Sequence, residues 1–179
     1  MASNTESVLT DDHRDLDLLL EETCHALESS DIATSFHMLD FFWARLAMHI
    51  RAEHLRLFPV VLAMTKSNDS SDLPENIPVI IERLHGDHDF FMQELARAIK
   101  AMRLVGYFGN EAETRPIVRE LLIGVKNRLV EHNRIEEEVV YPLARGLLIG
   151  DKAAEQLREA VQKEINKLPP RFISAKNDR

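Results

Sequence analysis

Apolar residues recur at intervals of three and four along most of the chain, and no stretch sustains a two-residue alternation. The pattern predicts helices and no sheet. The first helix is expected over about residues 11–29 behind Thr10 as N-cap, and the second over about 32–64 behind Asp31. The polar run 65–76, rich in turn formers, should lead to a third helix that carries Pro78 in its first turn and ends near Val105. Residues 106–114 are expected to form the next loop, and Pro116 suits the first turn of a fourth helix reaching about Leu148. A shorter fifth helix follows over about 152–167, before Pro169 and Pro170. Short connections within each pair make neighbours antiparallel, so the expected fold class is all-α: an up-down-up-down four-helix bundle with a short fifth C-terminal helix. The matching division is a flexible N-terminus over 1–9, the bundle over 10–148, an appended helix over 149–168 and a poorly ordered basic tail over 169–179.

The apolar stripes are interrupted by polar residues. On the second helix the stripe reads Leu39, Phe42, Leu46, His49, Glu53, Leu57, Val60, Met64, and on the fourth Leu122, Val125, Leu129, His132, Glu136, Val139, Leu143. His88 sits between Leu84 and Phe91 on the third, and His13 lies one turn before Leu16 on the first. His13, His49, Glu53, His88, His132 and Glu136 therefore face the interior. A carboxylate there is unfavourable unless it is paired, hydrogen-bonded or bound to metal. Counted from the expected helix ends, all six fall at one depth. Within each His-x-x-x-Glu the four-residue step rotates only about 40° and rises about 6 Å, so the two groups converge. A single histidine on an apolar stripe is more often a hydrogen-bonded core residue than a ligand, but six such groups at one depth favour metal. His25 and His37 lie about 18 Å of helix rise away and are set aside. His85, one turn before His88, is either a fifth imidazole ligand or a partner of one. His54 is rotated away from His49, and of the run Glu136-Glu137-Glu138 only the first lies in the seam.

The two halves also repeat. Asp12-His13, then His49, Glu53, Phe58 and Pro59, match Asp87-His88, then His132, Glu136, Tyr141 and Pro142: both read D-H followed by H-x-x-x-E-x-x-x-x-[FY]-P. The repeat implies two helix pairs related by a pseudo-two-fold, each donating similar groups. Pro59 and Pro142 fall late inside their helices and are expected to kink or end them. The doubled motif resembles the hemerythrin-like, or HHE cation-binding, family over about residues 10–148. That resemblance implies an oxo- or hydroxo-bridged di-iron centre, with the two glutamates bridging and the histidines as terminal ligands. Members bind oxygen or nitric oxide, sense oxygen or iron, or help repair iron–sulfur clusters. The chain departs from the oxygen carriers at His85 and His88, which are three residues apart rather than four, and at His54, where many relatives have a second acid.

Composition narrows the rest. A net charge of −8 argues against a nucleic-acid surface, no apolar run is long enough to span a membrane, and one cysteine, Cys24, leaves metal binding to imidazole and carboxylate and suits the cytoplasm. The expected cofactor is two non-haem iron ions, although zinc and manganese share these donors. The expected function is binding or reduction of a small ligand such as oxygen, nitric oxide or peroxide, as sensor, buffer or stress and iron–sulfur-repair protein. The alternative is a helical interaction or regulatory module with a structural or vestigial metal site, whose protein partner would meet the C-terminal helix.

Overall fold

Asp31 starts the second helix, its carboxylate accepting from the Thr34 backbone N–H at 2.9 Å, while the Ser35 hydroxyl donates to the Ala26 carbonyl at 2.8 Å and ties that start to the end of the first helix. In the computed structural model, which describes residues 5–29, 31–67, 76–147 and 151–173, these helices are α1 (Thr5–Ser29) and α2 (Ile32–Ala52). A π-helical turn, Glu53–Leu57, leads from α2 into α3 (Phe58–Ser67); α4 spans Ile77–Phe108 and α5 Glu111–Ile135. A second π turn, Glu136–Val140, leads into α6 (Tyr141–Leu147), followed by α7 (Asp151–Ile165) and α8 (Pro170–Ile173). Among the described residues there is no strand.

Side-chain pairs give the topology. Ala26 meets Ser35 and His13 meets His49; Leu27 meets Arg115 and His13 meets Glu137; Phe36 meets Arg103 and His54 meets His88. In each comparison one number rises as the other falls, so α1 runs antiparallel to α2 and α5, and α2 antiparallel to α4. With α4 packed on α5 the ring of four closes, as the sequence pattern predicts. The α4–α5 connection is tighter than expected. Gly109, with φ of 67°, ends α4 and donates its N–H to Val105 at 2.8 Å, a left-handed position that glycine adopts without strain. Gly106 and Pro116 consequently lie inside helices, Pro116 only far enough into α5 to forfeit one early backbone bond.

The core has two apolar halves. One gathers Leu20, Leu39, Phe42, Phe91, Leu95 and Leu122; the other gathers Leu9, Leu57, Phe58, Ile81, Val140 and Tyr141, joined by Leu157, Val161 and Ile165 of α7. Between them lie His13, His49, Glu53, His88, His132 and Glu136, all buried.

Both prolines behave differently from expectation. Neither Pro59 nor Pro142 stops its helix; each follows a π turn closed by a five-residue bond, Phe58 N–H to Glu53 O and Tyr141 N–H to Glu136 O. The wide turn takes in one extra residue immediately before a residue that cannot donate. Downstream the apolar stripe moves on by one: Val61 replaces Val60 in the core, and Val140 and Ala144 replace Val139 and Leu143.

The two termini also differ from the expected divisions. Helix α1 begins at Thr5, because Leu9 is fully buried in the second half-core, and the start of the basic tail is helical. There Arg171 makes two 2.9 Å bonds to Asp40, and Phe172 packs on Phe41. Residues 1–4, 68–75, 148–150 and 174–179, on which parts of the flexible N-terminus, the long loop, the helix break and the tail were expected, lie outside the described residues. Helix α7 is clamped to the bundle by Glu164, fully buried, which accepts from Lys167 at 2.8 Å, Arg56 at 2.5 Å and Arg51 at 3.0 Å. These three cations pull its carboxyl down to about 2.

Leu9→Ala should destabilise the protein by about 2–5 kcal/mol, the range for a buried leucine truncation. The measurement is a urea unfolding curve; an unchanged midpoint would mean that residues before Thr10 carry no core.

Candidate metal centre

Each of the six candidate residues reaches the central layer from a helix already held by apolar neighbours on both sides. His49 stands in the last turn of α2 and Glu53 one turn on, opening the first π turn; His132 and Glu136 stand likewise in the last turn of α5 and at the opening of the second, and His13 and His88 come from α1 and α4. The structure brings all six together. They form two groups, His13, His49, Glu53, Glu136 and Glu53, His88, His132, Glu136, each with ligand-type atoms within 4.8 Å of one another. Both glutamates belong to both groups.

The carboxylates face both ways. Glu53 presents Oε1 to His49 Nε2 at 3.4 Å and Oε2 to His88 Nε2 at 3.3 Å. Glu136 presents Oε2 to His13 Nε2 at 3.3 Å and Oε1 to His132 Nε2 at 3.2 Å. The imidazoles converge in pairs, with Nε2 to Nε2 distances of 3.0 Å for His13 and His49 and again for His88 and His132.

Every inward Nε2 is aimed by a bond at its outward Nδ1. His49 donates to Asp12 at 2.9 Å, His132 to Asp87 at 3.3 Å, and His13 to Glu137 at 2.8 Å. Asp12 is in turn held by Arg45, and Asp87 by Arg128 at 2.6 Å. His88 donates instead to His54 Nε2 at 2.7 Å. Burial, followed by the nearby His88 and His85, pushes His54 down to about 4, so it stays neutral and can accept. Such outward partners fix ring orientation and tautomer in metal sites.

Two oxygens, Glu53 Oε2 and Glu136 Oε1, are buried without a hydrogen-bond partner among the described residues. An unsatisfied buried carboxylate oxygen is strongly unfavourable, and both lie beside the inward nitrogens of His88 and His132. The donor set thus fits a cation. Without one, protons hold the layer together. Burial opposes the charged form of His49, but the Glu53 charge and the hydrogen bonds to Asp12 and Glu53 outweigh it and push the ring up to about 10. Burial likewise favours neutral Glu53, and His49 and His88 overcome it and hold the carboxyl well below its usual range.

The remaining histidines separate cleanly. His85 belongs to neither group; its ring lies 4.4 Å from that of His54 and 5.4 Å from Phe58. His25 bonds Ser29, and His37 packs near Phe172. Glu137, expected on the solvated face, instead orients His13. The sequence reading also missed Arg45, Arg128 and Tyr141. The arginines were detectable, since each stands four residues before its histidine and extends the repeat to R-x-x-x-H-x-x-x-E. Tyr141, 1 % exposed, donates its phenol proton to Glu53 Oε1 at 2.8 Å and lies 3.0 Å from His13 Nε2 and 3.2 Å from Glu136 Oε2.

A family model described as hemerythrin HHE cation binding domain matches residues 4–144. No curated protein and no solved structure matches the chain.

Asp12→Ala and Asp87→Ala should each weaken metal binding by about 10- to 100-fold, the usual loss when a histidine ligand's outward partner is removed; a competitive chelator titration measures it, and unchanged affinity in both would contradict the aiming role. A second expectation concerns pH. In the metal-free protein, raised His49 contributes its full stability below 6.5 and loses it as the pH climbs towards about 10, while lowered Glu53 contributes above 4.5 and loses it below. The metal-free melting temperature should therefore fall between pH 6.5 and about 10. A cation, which takes the place of those protons, should flatten the fall.

Proposed function

The chain belongs to the hemerythrin HHE cation-binding domain family, and on that premise we propose that it is a non-haem di-iron protein that binds or reduces a small ligand such as oxygen, nitric oxide or peroxide, as sensor, buffer or stress and iron–sulfur-repair protein. One observation carries the reading: two four-residue donor groups share Glu53 and Glu136. A single cation would not use donors on both sides of the carboxylates, whereas a pair would. His13 and His49 would hold one iron and His88 and His132 the other, with each glutamate giving one oxygen to each. Mixed imidazole and carboxylate donors suit iron, and zinc and manganese are the competing ions.

When bound, the pair supplies a ferrous–ferric couple at which a small ligand can be held or reduced. The chain's own residues prepare the surroundings. Asp12, Asp87, Glu137 and His54 keep the four Nε2 atoms pointing inward. Phe91 sets its edge against the His132 ring at 5.2 Å and Phe58 stacks on His88 at 6.0 Å, which limits water on that side. An apolar cavity of about 30 Å³, lined by Leu9, Leu57, Tyr141, Ala144 and Ala154 among others, lies between α1, α6 and α7. It is large enough for one water-sized or diatomic molecule. The single cysteine supports a cytoplasmic setting.

Protein purified from iron-replete cells should hold two irons per chain, and Glu53→Ala and Glu136→Ala should each lose at least one. Stopped-flow mixing of the reduced protein with oxygen, and separately with nitric oxide, should change its visible spectrum. Well below one metal per chain would sink the di-iron reading. Two metals with no response to either gas would leave the interaction module with a structural site.

A further inference from the structure

The pseudo-two-fold is broken at one pair of positions. Where the first repeat has Phe58, the second has Tyr141. Both rings are buried in the same half-core, each five residues beyond its glutamate and brought beneath it by the π turn. Phe58 stacks on His88 and offers no heteroatom. Tyr141 brings an oxygen to the opposite side of the carboxylate pair, within 3.2 Å of Glu53 Oε1, Glu136 Oε2 and His13 Nε2 together.

That position is unlike those of the orienting residues. Asp12, Asp87, Glu137 and His54 each sit behind a ring, on its outward Nδ1. The phenol oxygen sits in front, among the inward atoms of the His13 and His49 side. It also accounts for which carboxylate oxygens lack partners: Oε1 of Glu53 and Oε2 of Glu136 have the phenol, whereas Oε2 of Glu53 and Oε1 of Glu136, facing His88 and His132, have none. One phenol proton cannot serve both carboxylate oxygens at once. A cation among those atoms can use the oxygen directly, and the displaced proton passes to solvent.

We propose that Tyr141 is a seventh ligand, its phenol oxygen joining His13 and His49 on one side of the glutamate pair, so that the two metal positions are chemically different. The side with Tyr141 would then have one protein donor more than the side with His88 and His132. The inference rests on the di-iron reading above.

The test uses the oxidised full-length protein with its iron counted in every sample. The chain has two tyrosines, so Tyr107→Phe leaves Tyr141 as the sole source of a phenolate signal. Both the parent protein and Tyr107→Phe should show a visible phenolate-to-iron(III) charge-transfer band, and resonance Raman excitation in it should enhance tyrosine ring vibrations. Tyr141→Phe, which places at this position the residue its repeat partner already has, should abolish band and vibrations and weaken one of the two metals by about 10-fold or more. Two irons bound with no such band in Tyr107→Phe, or a band that survives Tyr141→Phe, would overturn the assignment while leaving the di-iron reading intact. Fewer than two irons in the parent protein would overturn that reading and this inference with it.

Discussion

Two carboxylates, Glu53 and Glu136, lie fully buried between two apolar half-cores, and the arrangement around them follows from the need to balance their charge. In a low-dielectric interior an unpaired carboxylate is far less stable than in water. The fold meets this with four inward imidazole nitrogens and a phenol, and then needs Asp12, Asp87, Glu137 and His54 to hold the rings in place. Arg45 and Arg128 in turn compensate two of those outer carboxylates. Charge alternates outward from the centre, from carboxylate to imidazole to carboxylate to guanidinium, until solvent is reached.

The same pairing logic governs the appended helices on a different face. Helix α7 closes the second half-core with Leu157, Val161 and Ile165. Its buried acid Glu164 is matched by Arg51 and Arg56, from the same stretch of chain that carries His49 and Glu53. The C-terminal segment is thus fastened to the stretch that presents two of the six central donors, and Arg171 fastens α8 to Asp40 earlier in α2. The fifth helix covers apolar surface that a bare four-helix bundle would leave open at the end nearer Tyr141.

The π turns connect this core to its chemistry. In an α-helix a residue five positions beyond a glutamate lies about 140° away from it. The five-residue bonds from Phe58 to Glu53 and from Tyr141 to Glu136 widen the turn and return that residue to the glutamate's face. One inserted position therefore does two things: it accommodates a proline and it places an aromatic ring beneath the central donor groups. Because one repeat supplies a phenyl and the other a phenol, a nearly symmetric scaffold yields an unsymmetric centre.

The order of residues carries the helical class, the antiparallel pairing and the gathering of His13, His49, Glu53, His88, His132 and Glu136 at one depth. These follow from periodicity and from counting along regular helices, and both are local properties. It determined the repeat as well, although the reading stopped one turn short of Arg45 and Arg128. Where regularity breaks depends on packing between distant segments. Pro59 and Pro142 announced a disturbance, but whether a helix kinks, ends or widens depends on what packs beyond it, and here the chain stays helical through both prolines and packs on into the second half-core. That choice moved Val61, Val140 and Ala144 inward and carried Tyr141 to the carboxylates, a contact that a regular helical wheel assigns to the wrong face. It was tertiary packing, too, that made Leu9 core and gave Glu137 and His54 their rings to hold, because each depends on a neighbour distant in sequence whose direction no local pattern encodes.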